Sequence, residues 1–306
     1  MKRLLALGAA IAAVVLMASP LSAAEPLVNV AWVKASLNKP GITFLDLREA
    51  GIEAYAKGHV PGAIYTSYDK GGWRVTDKNG TPGMLPEPAA IEKLVGSLGI
   101  DNATHVVIVP DGTSAREVGR GTRIYWTFKV AGHDAVSLLD GGMAAYQADK
   151  QAPIETGVVQ PVAKTFKVAM RPELLATKED VVGALKAGTP LIDNRPPDMY
   201  LGVNRAKDVL KNGTLPGAVS LPESWLTDNN GGTFRDRGAL ERIYKAVGLQ
   251  TGGEAITFCN TGHWASLGWF VSHELLGNKQ TRVYDGSMAE WSRDASLPIE
   301  TKIKLD

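Results

Sequence analysis

The segment Ala255-Ile-Thr-Phe-Cys-Asn-Thr-Gly-His-Trp-Ala265 passes from an apolar run through a glycine-containing loop into a helical pattern. Its first four residues, Ala255–Phe258, are typical of a buried strand. Trp264–Leu276 has apolar residues at helical spacing, and Gly277 is placed to end that helix. Cys259 therefore stands where a strand ends and a helix begins.

Short β-branched runs alternate with helical patterns around this segment. Leu191–Asp193 and Arg282–Tyr284 predict two more strands, and Thr177-Lys-Glu-Asp180 predicts a capping box that opens a helix. Such alternation predicts an α/β fold, with a parallel sheet that carries helices on both faces. In open sheets of this class, ligands bind beyond the carboxyl ends of the strands, which is where Cys259 lies.

The chain contains two copies of this pattern. Motifs of the first half recur in the same order 145 to 155 residues later. The paired motifs are Phe44–Arg48 with Leu191–Arg195, Gly58–Ala63 with Gly213–Ala218, Ser97–Ile100 with Ala246–Leu249, Val106–Asp111 with Glu254–Cys259, and Leu139–Met143 with Tyr284–Met288. This offset is too long for a solenoid repeat and describes two copies of one domain, which suits a length of 306 residues.

The predicted domains follow from this repeat. The first covers residues 27–149, and the second covers residues 171–306. Residues 150–170 contain Pro153 and Pro161 and show no amphipathic period, so they are predicted to be a linker. A composition of 44% hydrophobic and 21% charged residues is that of an ordinary globular protein.

Residues 1–24 have the three-part layout of a secretory signal peptide. Lys2 and Arg3 precede an apolar run, and the small residues Ser22 and Ala24 suit a signal peptidase. The fourteen apolar residues would rise only about 21 Å as a helix, too little to span a bilayer. We expect cleavage after Ala24 and a soluble protein in the periplasm, with no attachment to a membrane.

The charge balance limits the partners. The formal net charge is +1, and it becomes −1 when Lys2 and Arg3 are removed. No global field is present to attract a nucleic acid or an anionic lipid surface, so any charged ligand must be recognised locally. The oligomeric state is left open.

Cys259 is the only cysteine, so the chain has no intramolecular disulfide. An unpaired thiol is unusual in an oxidising compartment, where cysteines are generally paired or absent. The alternative is a buried cysteine that acts as a small hydrophobic side chain. A strand-end position beside a glycine-containing loop favours a nucleophile instead, because loop N–H groups and the following helix stabilise an anionic thiolate.

These motifs together resemble the rhodanese (sulfurtransferase) family in its tandem-domain form, whose members use thiosulfate or 3-mercaptopyruvate. The second copy matches at Asp193 and Arg195, Gly213–Ala218, Cys259–Ala265 and Tyr284–Trp291. The first copy matches in the same order, but Asp111 stands where the nucleophile would be. The resemblance covers most of residues 28–300 and implies a non-catalytic first domain and a catalytic second one.

The resemblance implies sulfur transfer in two steps. The Cys259 thiolate takes a sulfane sulfur from a donor, holds it as a persulfide, and passes it to cyanide or a thiol. No metal or organic cofactor is implied. The residues expected to bind substrate are Arg195, Asn260, Thr261, Gly262, His263 and Trp264.

The loop after Cys259 departs from the thiosulfate type of the family. It contains no Lys or Arg, and Thr261 stands where the mercaptopyruvate type has a serine. Thiosulfate is a dianion, so the sequence predicts weak thiosulfate binding unless His263 is protonated and faces the donor. A His263 side chain that faces solvent is the alternative.

Several roles stay open at this point. Arg195 either contacts an anionic donor or forms an ion pair with Asp193, and Trp264 either narrows the entrance or packs at a domain interface. A phosphatase would need an arginine six residues after the cysteine to hold the phosphate. This chain has Ala265 at that position. A persulfide carrier that serves a protein partner is the non-enzymatic alternative, and turnover with small donors separates the two.

Overall fold

The computed structural model describes residues 24–305. The predicted signal peptide therefore lies outside the described residues, except for Ala24. Within the described range, none of the helices has the length and apolar character needed to cross a membrane.

The first domain is built on a five-stranded sheet. Its strands are β1 (Leu27–Val28), β2 (Ile42–Asp46), β3 (Ile64–Tyr65), β4 (His105–Val109) and β5 (Val136–Leu139). Its helices are α1 (Val30–Ser36), α2 (Gly51–Lys57), α3 (Pro88–Ser97), α4 (Ala115–Val130) and α5 (Gly142–Ala148). The strand order is β1-β5-β4-β2-β3, and all neighbours are parallel.

The second domain repeats this arrangement. Its strands are β6 (Leu175–Ala176), β7 (Leu191–Asp193), β8 (Val219–Ser220), β9 (Ala255–Phe258) and β10 (Thr281–Tyr284). Its α-helices are α6 (Lys178–Ala187), α7 (Pro197–Leu201), α8 (Arg237–Ala246), α9 (His263–Trp269) and α10 (Ser287–Trp291). The parallel strand order is β6-β10-β9-β7-β8.

The same strand order in both halves confirms the α/β class and the internal repeat. The capping box is also confirmed, since the Thr177 side chain accepts a hydrogen bond from the Asp180 N–H. The helix after Cys259 differs in its second half from the prediction. It is α-helical only to Trp269 and continues as a π-helix over Phe270–Leu275. Gly277 follows with a φ of +85°.

Helices α4 and α9 pack against each other and join the two domains through one hydrophobic core. Tyr125 of α4 meets the ring of Phe270 edge-on, with 4.8 Å between the centroids. Small residues allow the helices to approach closely. A side chain at Gly119 would place its Cβ 2.9 Å from Nε2 of His263.

Each domain also extends a loop over the other. In the first-domain loop, residues 74–85, Val75 pairs with Met84 as an antiparallel bridge. In the second-domain loop, residues 226–235, Thr227 pairs with Phe234 in the same way.

The two loops are held by equivalent carboxylates. Asp285, just after β10, accepts a hydrogen bond from the Leu85 N–H at 2.7 Å. Asp140, just after β5, accepts one from the Phe234 N–H at 2.9 Å. The interface therefore has an approximate two-fold character that follows from the repeat.

The predicted linker has no helix or strand, and it packs along the first domain. Backbone hydrogen bonds tie Glu155 to His59 at 2.9 Å and Lys164 to the carbonyl of Gly96 at 2.9 Å. The chain therefore reaches the second domain along a fixed path.

Candidate active site

Cys259 lies directly after β9 and is 1% exposed. The hydroxyl of Ser287 organises the loop that begins at Cys259. Oγ of Ser287 accepts hydrogen bonds from the N–H of Cys259 at 3.1 Å and of Gly262 at 3.2 Å, and donates to the carbonyl of Tyr284 at 2.8 Å. The loop is therefore pinned at both ends to the turn that follows the neighbouring strand, β10.

Gly262 closes this loop in the left-handed region, with a φ of +73°. A side chain there would be strained, and its Cβ would also meet the guanidinium of Arg123 and the carboxylate of Asp285. Arg123 donates to the Gly262 carbonyl at 3.2 Å and forms a buried ion pair with Asp285. Helix α9 then begins with no side chain capping its first turn, which leaves its leading N–H groups available to an anion.

Cys259 lines a cavity of about 250 Å³ between the two domains. The residues around it are Tyr68, Asp69, Arg74, Arg116, Arg120, Ala206, Lys207, Asp208, Cys259, Asn260, Thr261, His263 and Trp264. This volume is below the roughly 300–1,000 Å³ of pockets that hold drug-sized ligands. The cavity therefore suits a small molecule.

The first domain supplies three of the four cations of this cavity. Arg116 and Arg120 come from α4, and Arg74 comes from the first-domain loop. Arg74 donates to the carbonyl and to Oγ1 of Thr261, both at 2.7 Å. The loop itself has no Lys or Arg, as the sequence indicates, and most of the cations around it come from the other domain.

The sequence did carry one signal for these arginines. Arg116, Arg120 and Arg123 recur at intervals of four and three residues, so they share one face of α4. That face could not be assigned to the active site from spacing alone, because nothing local indicates which element meets it. Tyr68 and Lys207 were missed for the same reason.

Among the predicted site residues, the structure brings Asn260, Thr261, His263 and Trp264 to the cavity. Gly262 does not line it and instead shapes the loop through its backbone. Asn260 is buried, and its amide nitrogen lies 3.3 Å from Sδ of Met199. Trp264 lines the cavity and also packs against the shared core.

The structure corrects the expectation for Arg195. Its side chain is fully buried, and its guanidinium bonds Asp193 at 2.6 Å and the carbonyl of Gly213 at 2.8 Å. It does not line the cavity. The ion-pair alternative therefore describes Arg195, because a guanidinium in this position organises the turn after β7 and is turned away from the donor.

His263 lines the cavity, but both of its ring nitrogens are bonded to the first domain. Its Nε2 lies 3.0 Å from the carbonyl of Arg116, so Nε2 carries the proton, and Nδ1 accepts from the Tyr68 hydroxyl at 2.7 Å. Burial, with Arg74 and Arg120 nearby, holds the pKa of His263 well below its ordinary value. Of the two conditions set for a contribution from His263, protonation near neutral pH is therefore disfavoured.

Asp111, which takes the place of Cys259 in the first copy, follows β4 and is half-buried. Its carboxylate accepts the Glu49 N–H at 2.6 Å, and burial raises its pKa. The second-domain loop covers this position, because the backbone of Gly232 sits against Gly112 so closely that no side chain would fit. Arg235 of that loop bonds the carbonyl of Trp225 and pairs with Asp228.

A model of the rhodanese-like domain matches this chain twice, over residues 29–149 and 177–294. The chain belongs to the rhodanese family.

Curated relatives extend the match over both rhodanese domains. A putative thiosulfate sulfurtransferase of Mycobacterium bovis is 31% identical, covering 90% of this chain and 98% of its own length. A putative thiosulfate sulfurtransferase of Haloferax volcanii is 30% identical, with 91% and 97% covered. The thiosulfate sulfurtransferase of Corynebacterium glutamicum is also 30% identical, with 90% and 91% covered. This rhodanese is therefore an enzyme of the sulfurtransferase class.

Solved structures share the fold. A 3-mercaptopyruvate sulfotransferase of Escherichia coli superposes with a TM-score of 0.74 at 24% identity, covering 86% of this chain and 99% of its own. An anaerobic ergothioneine biosynthesis enzyme from Chlorobium limicola superposes with a TM-score of 0.77 at 22% identity, covering 91% and 71%. At these identities the likeness concerns the tandem rhodanese architecture.

Proposed function

We propose that this rhodanese transfers a sulfane sulfur from a small anionic donor, thiosulfate before 3-mercaptopyruvate, through a persulfide on Cys259 to cyanide or a thiol. One observation carries the proposal: the only thiol of the chain forms part of a small cavity whose walls hold four cations and two carboxylates. Such a cavity attracts an anion to the nucleophile.

In the first half-reaction with thiosulfate, the Cys259 thiolate attacks the outer sulfur. A new sulfur–sulfur bond forms to Cys259, the bond inside thiosulfate breaks, and sulfite leaves with the electron pair. We expect the uncapped N–H groups at the start of α9 to stabilise both the thiolate and the terminal sulfur of the persulfide.

In the second half-reaction, cyanide or a thiolate attacks the terminal sulfur of the persulfide. The bond to Cys259 breaks, the thiolate is regenerated, and thiocyanate or a new persulfide leaves. No external oxidant or reductant is needed, because the sulfur carries its oxidation state from donor to acceptor.

Thiosulfate is the donor that the charges favour. The loop alone predicts weak binding, but the cavity walls hold more cations than carboxylates. The relatives named as thiosulfate sulfurtransferases support the same choice. A donor with one carboxylate, such as 3-mercaptopyruvate, would use fewer of these cations.

A catalytic rather than a carrier role is supported by the burial of Cys259. A persulfide that is handed to a protein partner must be reached by that partner's thiol, whereas Cys259 is 1% exposed within a cavity of about 250 Å³. Small donors and acceptors fit this geometry better.

The test is an initial-rate comparison of thiosulfate and 3-mercaptopyruvate, each with cyanide and with a dithiol. Wild type should turn over thiosulfate most efficiently, and the intact mass should increase by one sulfur after donor and return after cyanide. Cys259→Ser should show neither, while its thermal midpoint stays close to wild type. A persulfide that forms but is released to no small acceptor would support the carrier role instead.

We further propose that the protein acts outside the cytoplasm. The support is the charged start, the apolar run and the small residues of residues 1–24. Expression in a Gram-negative host should yield periplasmic protein that begins at Glu25. Intact Met1 in a membrane fraction would contradict this.

A further inference from the structure

The four cations of the cavity are not equally available to a ligand. Arg74 is committed to Thr261 and to the carbonyl of Gly83, which lies 3.2 Å from its Nε. Arg120 has a side chain only 6% exposed and pairs with Glu49 at 2.8 Å and with Asp69 at 3.3 Å. These two arginines are therefore already neutralised or engaged by the protein.

Arg116 and Lys207 are different. The Arg116 side chain is 61% exposed, and its single ion pair is a loose one at 3.7 Å to Glu49, which Arg120 already binds more closely. Lys207 is exposed and forms no ion pair with any residue that the structure describes. Both line the cavity, one from each domain.

The exposure of the lining residues indicates which end of the cavity is its floor and which is its mouth. Cys259 is buried, whereas Arg116 and Lys207 are exposed and therefore lie at the mouth. A thiosulfate with its outer sulfur toward Cys259 must then point its sulfonate oxygens toward the mouth, where these two cations are.

We propose that Arg116 and Lys207 form a two-sided clamp for the anionic end of the donor, so that the rhodanese domain without a thiol takes part in donor binding. The proposal rests on the proposed function, since it places the donor by the direction of attack. It also gives sulfite, the leaving group, a direct exit, because sulfite forms at the mouth.

One carboxylate opposes the clamp. Asp208 also lines the cavity, and its side chain forms no salt bridge within the described residues. Its negative charge beside Lys207 weakens the attraction for an anion. Neutralising Asp208 should therefore act in the opposite direction from neutralising Lys207.

The kinetic test compares Arg116→Gln, Lys207→Gln and Asp208→Asn with two matched controls on α8, Arg242→Gln and Lys245→Gln. Each clamp variant should raise the KM for thiosulfate about ten-fold or more and leave kcat within about two-fold, the size of one lost charged hydrogen bond. Asp208→Asn should lower KM, and both controls should leave it unchanged. Unchanged KM in both clamp variants, or a loss confined to kcat, would overturn the clamp.

A binding test separates the clamp from the chemistry. In the Cys259→Ser background, which cannot form a persulfide, sulfite and thiosulfate binding are measured by titration calorimetry with and without Arg116→Gln and Lys207→Gln. Binding that weakens about ten-fold with each substitution supports the clamp, whether or not wild type forms a persulfide. A wild type that forms no persulfide would contradict only the proposed function. Binding that is indifferent to both substitutions would overturn the clamp and leave the proposed function standing.

Discussion

The strand ends after β4 and after β9 occupy the same place in the two copies of the fold but have opposite chemistry. After β9, Cys259 begins a loop that faces an open cavity with positive walls. After β4, Asp111 lies beneath the second-domain loop, where Gly232 leaves no room for a ligand over Gly112. The ends of β4 and β9 are packed in the same way, whereas the space above them and the charge around that space differ.

The two central helices show how the halves divide the work. Arg116, Arg120 and Arg123 of α4 correspond by the repeat to Trp264, Gly268 and Val271 in and beyond α9. The cations therefore stand on the helix of the half that lacks the thiol. Because α4 and α9 pack together, this helix brings its charges across the interface to Cys259. A domain without a cysteine can thus still line the cavity around Cys259.

The strongest attempt to break this comparison moves the thiol. Cys259→Ser combined with Asp111→Cys should have no sulfurtransferase activity and take up no sulfur, because the second-domain loop lies against Gly112 and the cavity with four cations lies at position 259. Intact mass after thiosulfate treatment measures this. Asp111→Ala alone should keep most of the wild-type rate, and a persulfide on the moved cysteine would show that the strand end alone suffices.

The next test removes Arg123, whose guanidinium crosses the interface to Asp285. Arg123→Ala leaves Asp285 buried without its partner and frees the Gly262 carbonyl, so unfolding free energy should fall by about 3–5 kcal/mol. Asp140→Asn, at the place of Asp285 in the first copy, should lower it by about 1 kcal/mol or less, since Asp140 only accepts backbone N–H groups. Urea denaturation of both variants gives the comparison. Equal losses would contradict the asymmetry.

Glu223 has the place in the second copy that Tyr68 has in the first. Tyr68 bonds His263, but the residue that corresponds to His263 by the repeat is Ala115, which cannot bond Glu223 in the same way. Burial raises the pKa of Glu223 to about 7. Between its ordinary pKa and that value the unfolded chain loses a proton that the folded chain keeps, so stability falls as the pH rises.

Glu223→Gln should remove that fall. Its stability relative to wild type should increase by about 1–3 kcal/mol between pH 4.5 and 7.5. Denaturation midpoints across this range measure the difference. A constant difference between the two proteins would show that Glu223 does not titrate in this window.

The smallest effect concerns the contact between Tyr68 and His263. Because the folded pKa of His263 is depressed, the unfolded chain gains a proton that the folded chain does not as the pH falls below about 6.5. Wild type should therefore lose about 1 kcal/mol more than His263→Gln between pH 6.5 and 5.5. The other histidines contribute to both proteins and cancel in the difference, so parallel pH profiles would contradict the assignment.

Local patterns were sufficient for the fold and for the place of Cys259 at a strand end. Leu191–Asp193 and Ala255–Phe258 are strands as predicted, and Cys259 follows its strand directly. The contacts of the side chains were less predictable. Arg195 was among the residues expected to bind the donor, but its guanidinium bonds the carboxylate of Asp193, two residues before it.

The cations of the site could not be read from sequence for a different reason. Arg74 and Thr261 are 187 residues apart and meet only because two loops cross at the interface. Spacing within one segment reports which residues share a face, as it does for α4. It does not report which other segment that face will meet.

The shared core between α4 and α9, with a loop from each domain bonded to the other, also has a consequence for how the molecule comes apart. Proteins of two domains often melt in steps, because each domain is a separate cooperative unit. Here neither half can open without exposing apolar surface of its neighbour, including Tyr125 and Phe270. The whole protein should therefore melt in a single transition, with equal calorimetric and van't Hoff enthalpies, and catalysis and tertiary structure should be lost at the same temperature.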